Sequence, residues 1–102
     1  MSLWRLLQLC FLDHSLGAVA ITNSTISNNQ TGVRTESSAA LIITDSTISN
    51  NSGNGIYGYW DSGDITISGS TISSNSGSGI YINNDSAPTI TNSLISSNSG
   101  YG

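Results

Sequence analysis

The sequence predicts an all-β chain: a right-handed parallel β-helix, or solenoid, of about four coils with a short N-terminal capping helix. Three observations lead there. A polar nonapeptide, "ITNSTISNN" at residues 21–29, returns as "ITDSTISNN" at 43–51, "ISGSTISSN" at 67–75 and "ITNSLISSN" at 90–98. Aligned on Ile26, Ile48, Ile72 and Ile95, the copies are 22, 24 and 23 residues apart, which is a solenoid period. Each copy shows strand alternation and no helical periodicity.

Residues 1–17, "MSLWRLLQLCFLDHSLG", differ in kind from the rest and form the first unit. Leu3, Leu6, Leu7 and Cys10 keep i, i+3, i+4, i+7 spacing, with Ser2 as N-cap, and predict an amphipathic helix covering the end of the solenoid. The same stretch has features of a signal segment, with Arg5 ahead of an apolar run and the small residues "GAVA" at 17–20. The run Leu6 to Leu12 is too short to span a bilayer, which takes roughly 20 apolar residues.

Residues 18–102 form the repeat unit of strand, bend, strand, polar turn, strand and loop. In the first strand Val19 and Ile21, Leu41 and Ile43, and Ile65 and Ile67 alternate inward with outward polar residues; the last copy keeps Ile90 and has Pro88 at the other place. From Ile67 to Ile72 is an odd number of residues, so alternation breaks once if both point inward. The break falls at Asn23, Asp45, Gly69 and Asn92, the residue types that best tolerate a left-handed backbone. A third inward position follows at Val33, Ile56 and Ile80, each after a glycine.

No such unit buries its own interior, but units stacked in register do. Each strand then pairs with its equivalent one coil away, about 4.8 Å along the axis. Parallel crossovers are overwhelmingly right-handed, and coils of this length exceed the six-residue subrepeat of a triangular left-handed solenoid. Stacking also aligns Asn29, Asn51, Asn75 and Asn98 into a hydrogen-bonded ladder, with Ser24, Ser46, Ser70 and Ser93 beside it. These residues are architecture.

The pattern of "ITDSTISNNSGNGIY" at 43–57 resembles the parallel β-helix repeats of bacterial surface and secreted proteins. It is also similar to the polymorphic outer-membrane protein type, with "ISNN" at 48–51 and "ISSN" at 72–75 standing for FxxN, and "GNGI" at 53–56 and "GSGI" at 77–80 for GGxI. The resemblance covers about residues 18–102 and implies an adhesin-like, non-enzymatic module outside the cell or on its surface. Polysaccharide lyases and hydrolases share the scaffold, so a fragment of such an enzyme is the alternative the resemblance implies.

Composition narrows the functions. Charged residues make up 8% of the chain, the net charge is −4, and the basic side chains are Arg5 and Arg34, too few to track phosphates or an anionic membrane. A single cysteine excludes an internal disulfide framework and a cysteine-based zinc site. Asp61 and Asp64 are the carboxylates closest in sequence, but paired-carboxylate hydrolysis needs a second shifted group at a set distance. Asp45 reads as a bend and Asp85 as a loop residue, and His14 has no triad partners at a useful spacing. No cofactor or metal is expected.

What remains is surface. Tyr57, Tyr59, Trp60, Asp61 and Asp64 cluster in "YGYWDSGD", and Tyr81 occupies the position equivalent to Tyr57 one coil on. Stacked tyrosines with nearby amides and carboxylates suit sugar rings, so a polysaccharide or cell-surface glycan is the expected partner. A second surface is the outward column Thr25, Thr47 and Thr71, interrupted by Leu94 and flanked by Ser27, Ser49, Ser73 and Ser96. It resembles the threonine faces of β-solenoid antifreeze proteins and implies ice binding as a further alternative. The last copy ends at "NSGYG" before a third strand, which predicts a piece of a longer solenoid or end-to-end self-association through an uncapped edge.

Overall fold

Three parallel sheets run side by side along one axis, and every pairing joins a strand to its equivalent in the neighbouring coil. The computed structural model describes residues 6–7, 11–13, 19–35, 40–58, 64–83 and 88–101. Sheet 1 holds, in spatial order, β1 (Leu6–Leu7), β4 (Thr25–Ser27), β7 (Thr47–Ser49), β10 (Thr71–Ser73) and β13 (Leu94–Ser96). Sheet 2 holds β2 (Phe11–Asp13), β5 (Val33–Thr35), β8 (Ile56–Gly58) and β11 (Ile80–Ile82). Sheet 3 holds β3 (Val19–Thr22), β6 (Leu41–Thr44), β9 (Ile65–Ser68) and β12 (Thr89–Thr91).

The inward columns follow the sequence pattern. Ile26, Ile48, Ile72 and Ile95 are in register in sheet 1, and the first three are wholly buried. Ile21, Ile43 and Ile67 with Val19, Leu41 and Ile65 supply sheet 3, and Val33 and Ile56 supply sheet 2. Burying each such side chain contributes roughly 1.5–3 kcal/mol, so a narrow core of one or two inward side chains per strand suffices because it repeats.

The alternation breaks where a left-handed residue permits it. Asn23, Asp45, Gly69 and Asn92 have φ of 50°, 51°, 57° and 48°. A second left-handed position, which the sequence reading did not single out, follows each sheet 1 strand at Asn28, Asn50, Ser74 and Ser97, with φ of 62°, 56°, 56° and 56°. It turns the chain from sheet 1 into the polar turn, and asparagine tolerates it for the same steric reason.

In the buried polar ladder a backbone N–H of one coil donates to a side-chain oxygen of the next. The Ser46 hydroxyl accepts the Ser24 N–H at 3.2 Å and donates to the Thr44 carbonyl at 2.9 Å. Ser70 and Ser93 repeat this, accepting from Ser46 and Ser70 at 3.1 Å each. Asn51, Asn75 and Asn98 accept the N–H of Asn29, Asn51 and Asn75 at 3.0, 3.1 and 3.0 Å. These side chains satisfy backbone donors that the bends leave without a strand partner, as burial requires.

The capping helix over residues 1–17 is not observed. In its described part the chain is extended: Leu6–Leu7 pairs with Ile26 and Ser27, and Phe11–Asp13 pairs with Val33 to Thr35. The physical reason is the open parallel edge of β4 and β5, whose N–H and C=O groups bind an extended segment and override a weak local preference. A short apolar run cannot be assigned by periodicity alone. Among the described residues no helix is long and apolar enough to cross a membrane.

Candidate functional site: an aromatic column on sheet 2

The middle residue of β5, β8 and β11 points outward, because its neighbours face the interior. Register places Arg34, Tyr57 and Tyr81 in one column across β5, β8 and β11. The Tyr57 and Tyr81 rings stack with centroids 5.4 Å apart and planes 9° apart. The Arg34 guanidinium carbon lies 5.7 Å from the Tyr57 ring centroid, on the side away from Tyr81. Such a cation over a tyrosine face contributes about 0.5–1 kcal/mol at an exposed site. Tyr57 is half-buried and Tyr81 is exposed.

The stack changes what the column offers. Tyr57 and Tyr81 stand together, as their equivalent positions in the repeat predict, but as a stacked pair and not as two open faces. With the rings parallel, the faces between them are used up and Arg34 takes the far side of Tyr57. Of the two rings that of Tyr81 is the more exposed, at 42%, and among the described residues its strand β11 lies at an edge of sheet 2. Arg34 was the member missed, although its position equivalent to Tyr57 was legible from the glycine before the inward Val33.

The other residues singled out from sequence divide by place. Tyr59, Trp60 and Asp61 lie outside the described residues. Asp64 is exposed, and its carbonyl accepts the Leu41 N–H at 2.9 Å just before β9. Asp45 occupies the bend, with its N–H donating to the Ser68 carbonyl at 3.0 Å. Among the described residues no three His, Cys, Asp or Glu side chains gather as metal ligands would.

Thr25, Thr47 and Thr71 do stand in register in sheet 1, continued by Leu94. Thr25 is exposed, and Thr47 and Thr71 are half-buried. The flanking serine column is less open than its outward register suggests, since Ser27 is buried.

The sequence model of a family described as "Right handed beta helix region" matches residues 10–102. No curated protein and no solved structure matches the chain.

Proposed function

The chain belongs to the right-handed β-helix family, and from that premise we propose that it is a non-enzymatic, adhesin-type module, outside the cell or on its surface, that binds carbohydrate on the outward column of sheet 2. The observation that carries this reading is the Tyr57–Tyr81 stack. It holds the partly exposed Tyr81 ring in place, so that less entropy is lost when a ligand packs against it. A pyranose ring packs its C–H face on such a surface, while its hydroxyls hydrogen-bond to phenols and amides. Exposed Asn83, two residues on, supplies an amide beside it.

The test is calorimetric titration of the purified chain with a panel of soluble polysaccharides and oligosaccharides. We expect binding that Tyr81→Ala weakens about ten-fold, corresponding to about 1.4 kcal/mol. Tyr57→Ala should weaken it less, by releasing Tyr81 from its stacked position. No binding by the wild-type chain, or full binding by Tyr81→Ala, sinks the reading. Cleavage of pectin or alginate lost in Asp61→Ala would replace it with the lyase or hydrolase alternative.

A second reading, ice binding, is favoured by the register of Thr25, Thr47 and Thr71, which sets hydroxyls about 4.8 Å apart along the axis. Thermal hysteresis abolished by Thr47→Lys would support it, and its absence in the wild-type chain would end it.

A further inference from the structure

The polar turn between β7 and β8 holds a reactive dipeptide. Asn54–Gly55 is the one place in the chain where glycine follows asparagine. A backbone nitrogen on glycine has no Cβ beside it, so it reaches the preceding asparagine Cγ with the least hindrance of any residue. The equivalent pairs in the neighbouring coils are Thr31 with Gly32 and Ser78 with Gly79. The fold therefore keeps the glycine, since a Cβ at Gly55 would stand 2.6 Å from the Gly79 carbonyl oxygen, but does not ask for asparagine before it.

The peptide group joining the two residues is held from both sides. The Gly32 N–H donates to the Asn54 carbonyl at 3.1 Å, and the Gly55 N–H donates to the Ser78 carbonyl at 3.0 Å. The Asn54 Oδ1 accepts the Ser78 N–H at 2.8 Å. A Cβ on Gly77 would stand 2.6 Å from that same oxygen, so the Asn54 side chain fills room that Gly77 leaves. The Ser78 N–H polarises the carboxamide as an oxyanion donor would. What the fold withholds is the nucleophile, because the Gly55 nitrogen cannot turn toward Cγ while its N–H is bonded to the next coil. Asn54 is half-buried, so solvent stands close by.

We infer that Asn54 is a modification site, deamidated when its coil parts from that of Ser78 and protected while the two are stacked. In the parted turn hydroxide takes the proton of the Gly55 N–H, and the nitrogen attacks Asn54 Cγ. The N–Cγ bond forms, the Cγ–Nδ2 bond breaks, and Nδ2 leaves as ammonia with a proton from water. Water then opens the resulting succinimide. Addition at Cγ leaves aspartate, and addition at the backbone carbonyl leaves isoaspartate, whose chain runs through Cβ and Cγ. The isoaspartate backbone is one atom longer and carries a new carboxylate. Its peptide group can no longer meet Gly32 and Ser78 together, so the junction does not close again. The step records local opening of the solenoid, which occurs at a free energy below that of global unfolding. It does not depend on the carbohydrate reading.

For the test, the purified chain is incubated at neutral pH in buffer and in unfolding guanidinium chloride, and peptide mass spectrometry follows each asparagine. In guanidinium we expect Asn54 to react ahead of Asn51 and Asn75, which precede serine. In buffer its rate should be at least ten-fold lower. Asn75→Ala removes the acceptor of Asn51 at the same junction and should raise the rate in buffer at least three-fold. If that variant does not fold, guanidinium below the unfolding transition opens the wild-type junction and should give the same rise. The chain carrying isoaspartate at position 54, separated by chromatography, should refold with a lower urea midpoint than wild type. Equal rates in buffer and guanidinium overturn the inference, as does a junction-loosened chain that reacts no faster. Another asparagine reacting first in guanidinium overturns the assignment of the site, and an unchanged urea midpoint overturns the one-way opening.

Discussion

The side-chain oxygen of Asn75 accepts two hydrogen bonds from Asn51, one from the backbone N–H at 3.1 Å and one from Nδ2 at 2.9 Å. Asn75 passes the pattern on, donating its own Nδ2 to Asn98 Oδ1 at 2.9 Å. Asn75→Ala leaves two donors of Asn51 without acceptors in a site only 1% exposed. Orphaning buried donors costs about 1–3 kcal/mol each, so for the two we expect a loss of about 2–6 kcal/mol. Asn98→Ala, at the wetter edge, should cost less than half as much. Urea unfolding at unchanged m-value measures both, and equal losses would disprove the dependence on burial.

Gly55 allows the turn to approach its neighbour. A Cβ there would stand 2.6 Å from the Gly79 carbonyl oxygen and 2.9 Å from both Asn75 Nδ2 and Ile72 Cγ2. The carbonyl belongs to a backbone that is itself paired, because the Ile56 N–H donates to it at 2.9 Å. Gly55→Ala must therefore push two coils apart, and overpacking of this kind costs about 1–3 kcal/mol. A melting temperature within 1–2 °C of wild type would show that the coils yield more easily than this contact implies.

The repeat made most of the solenoid legible. Period and inward spacing gave the stacked parallel sheets, and the odd interval from Ile67 to Ile72 located the bend later seen at Gly69. The second left-handed position was less visible, because Ser74 and Ser97 occupy it alongside Asn28 and Asn50 and serine carries no strong preference for it. At the N-terminus a leucine-rich run satisfied a helical stripe while an open sheet edge decided the outcome. Of the candidate site, the tyrosine pair was readable from equivalence of position. Their parallel stack and the guanidinium beyond Tyr57 depend on side-chain geometry, which spacing does not encode.

Asp45 tests whether a carboxylate in this chain acts as more than a bend. Its φ of 51° matches that of Asn23, so Asp45→Asn should change stability by no more than about 0.5 kcal/mol. Asp45→Val, β-branched in a left-handed conformation, should cost about 1–2 kcal/mol. Chemical unfolding of the two variants separates the cases. A large loss in Asp45→Asn would show that the charge itself is used.

Thr35 offers a gain. It lies at the inward end of β5, wholly buried, and its hydroxyl has no hydrogen-bond partner among the described residues. The equivalent positions in the next coils are Gly58 and Ile82, so the column does not require a polar group. Thr35→Val keeps the branched shape, removes the stranded hydroxyl and adds a methyl to the interior. Burying an unbonded hydroxyl costs about 1–3 kcal/mol in proteins, so the variant should be more stable by about 1 kcal/mol. In a chain of this size that raises the melting temperature by about 4–8 °C. An unchanged or lower melting temperature would show that the hydroxyl is satisfied in solution, by a water or by a side chain beyond the described residues.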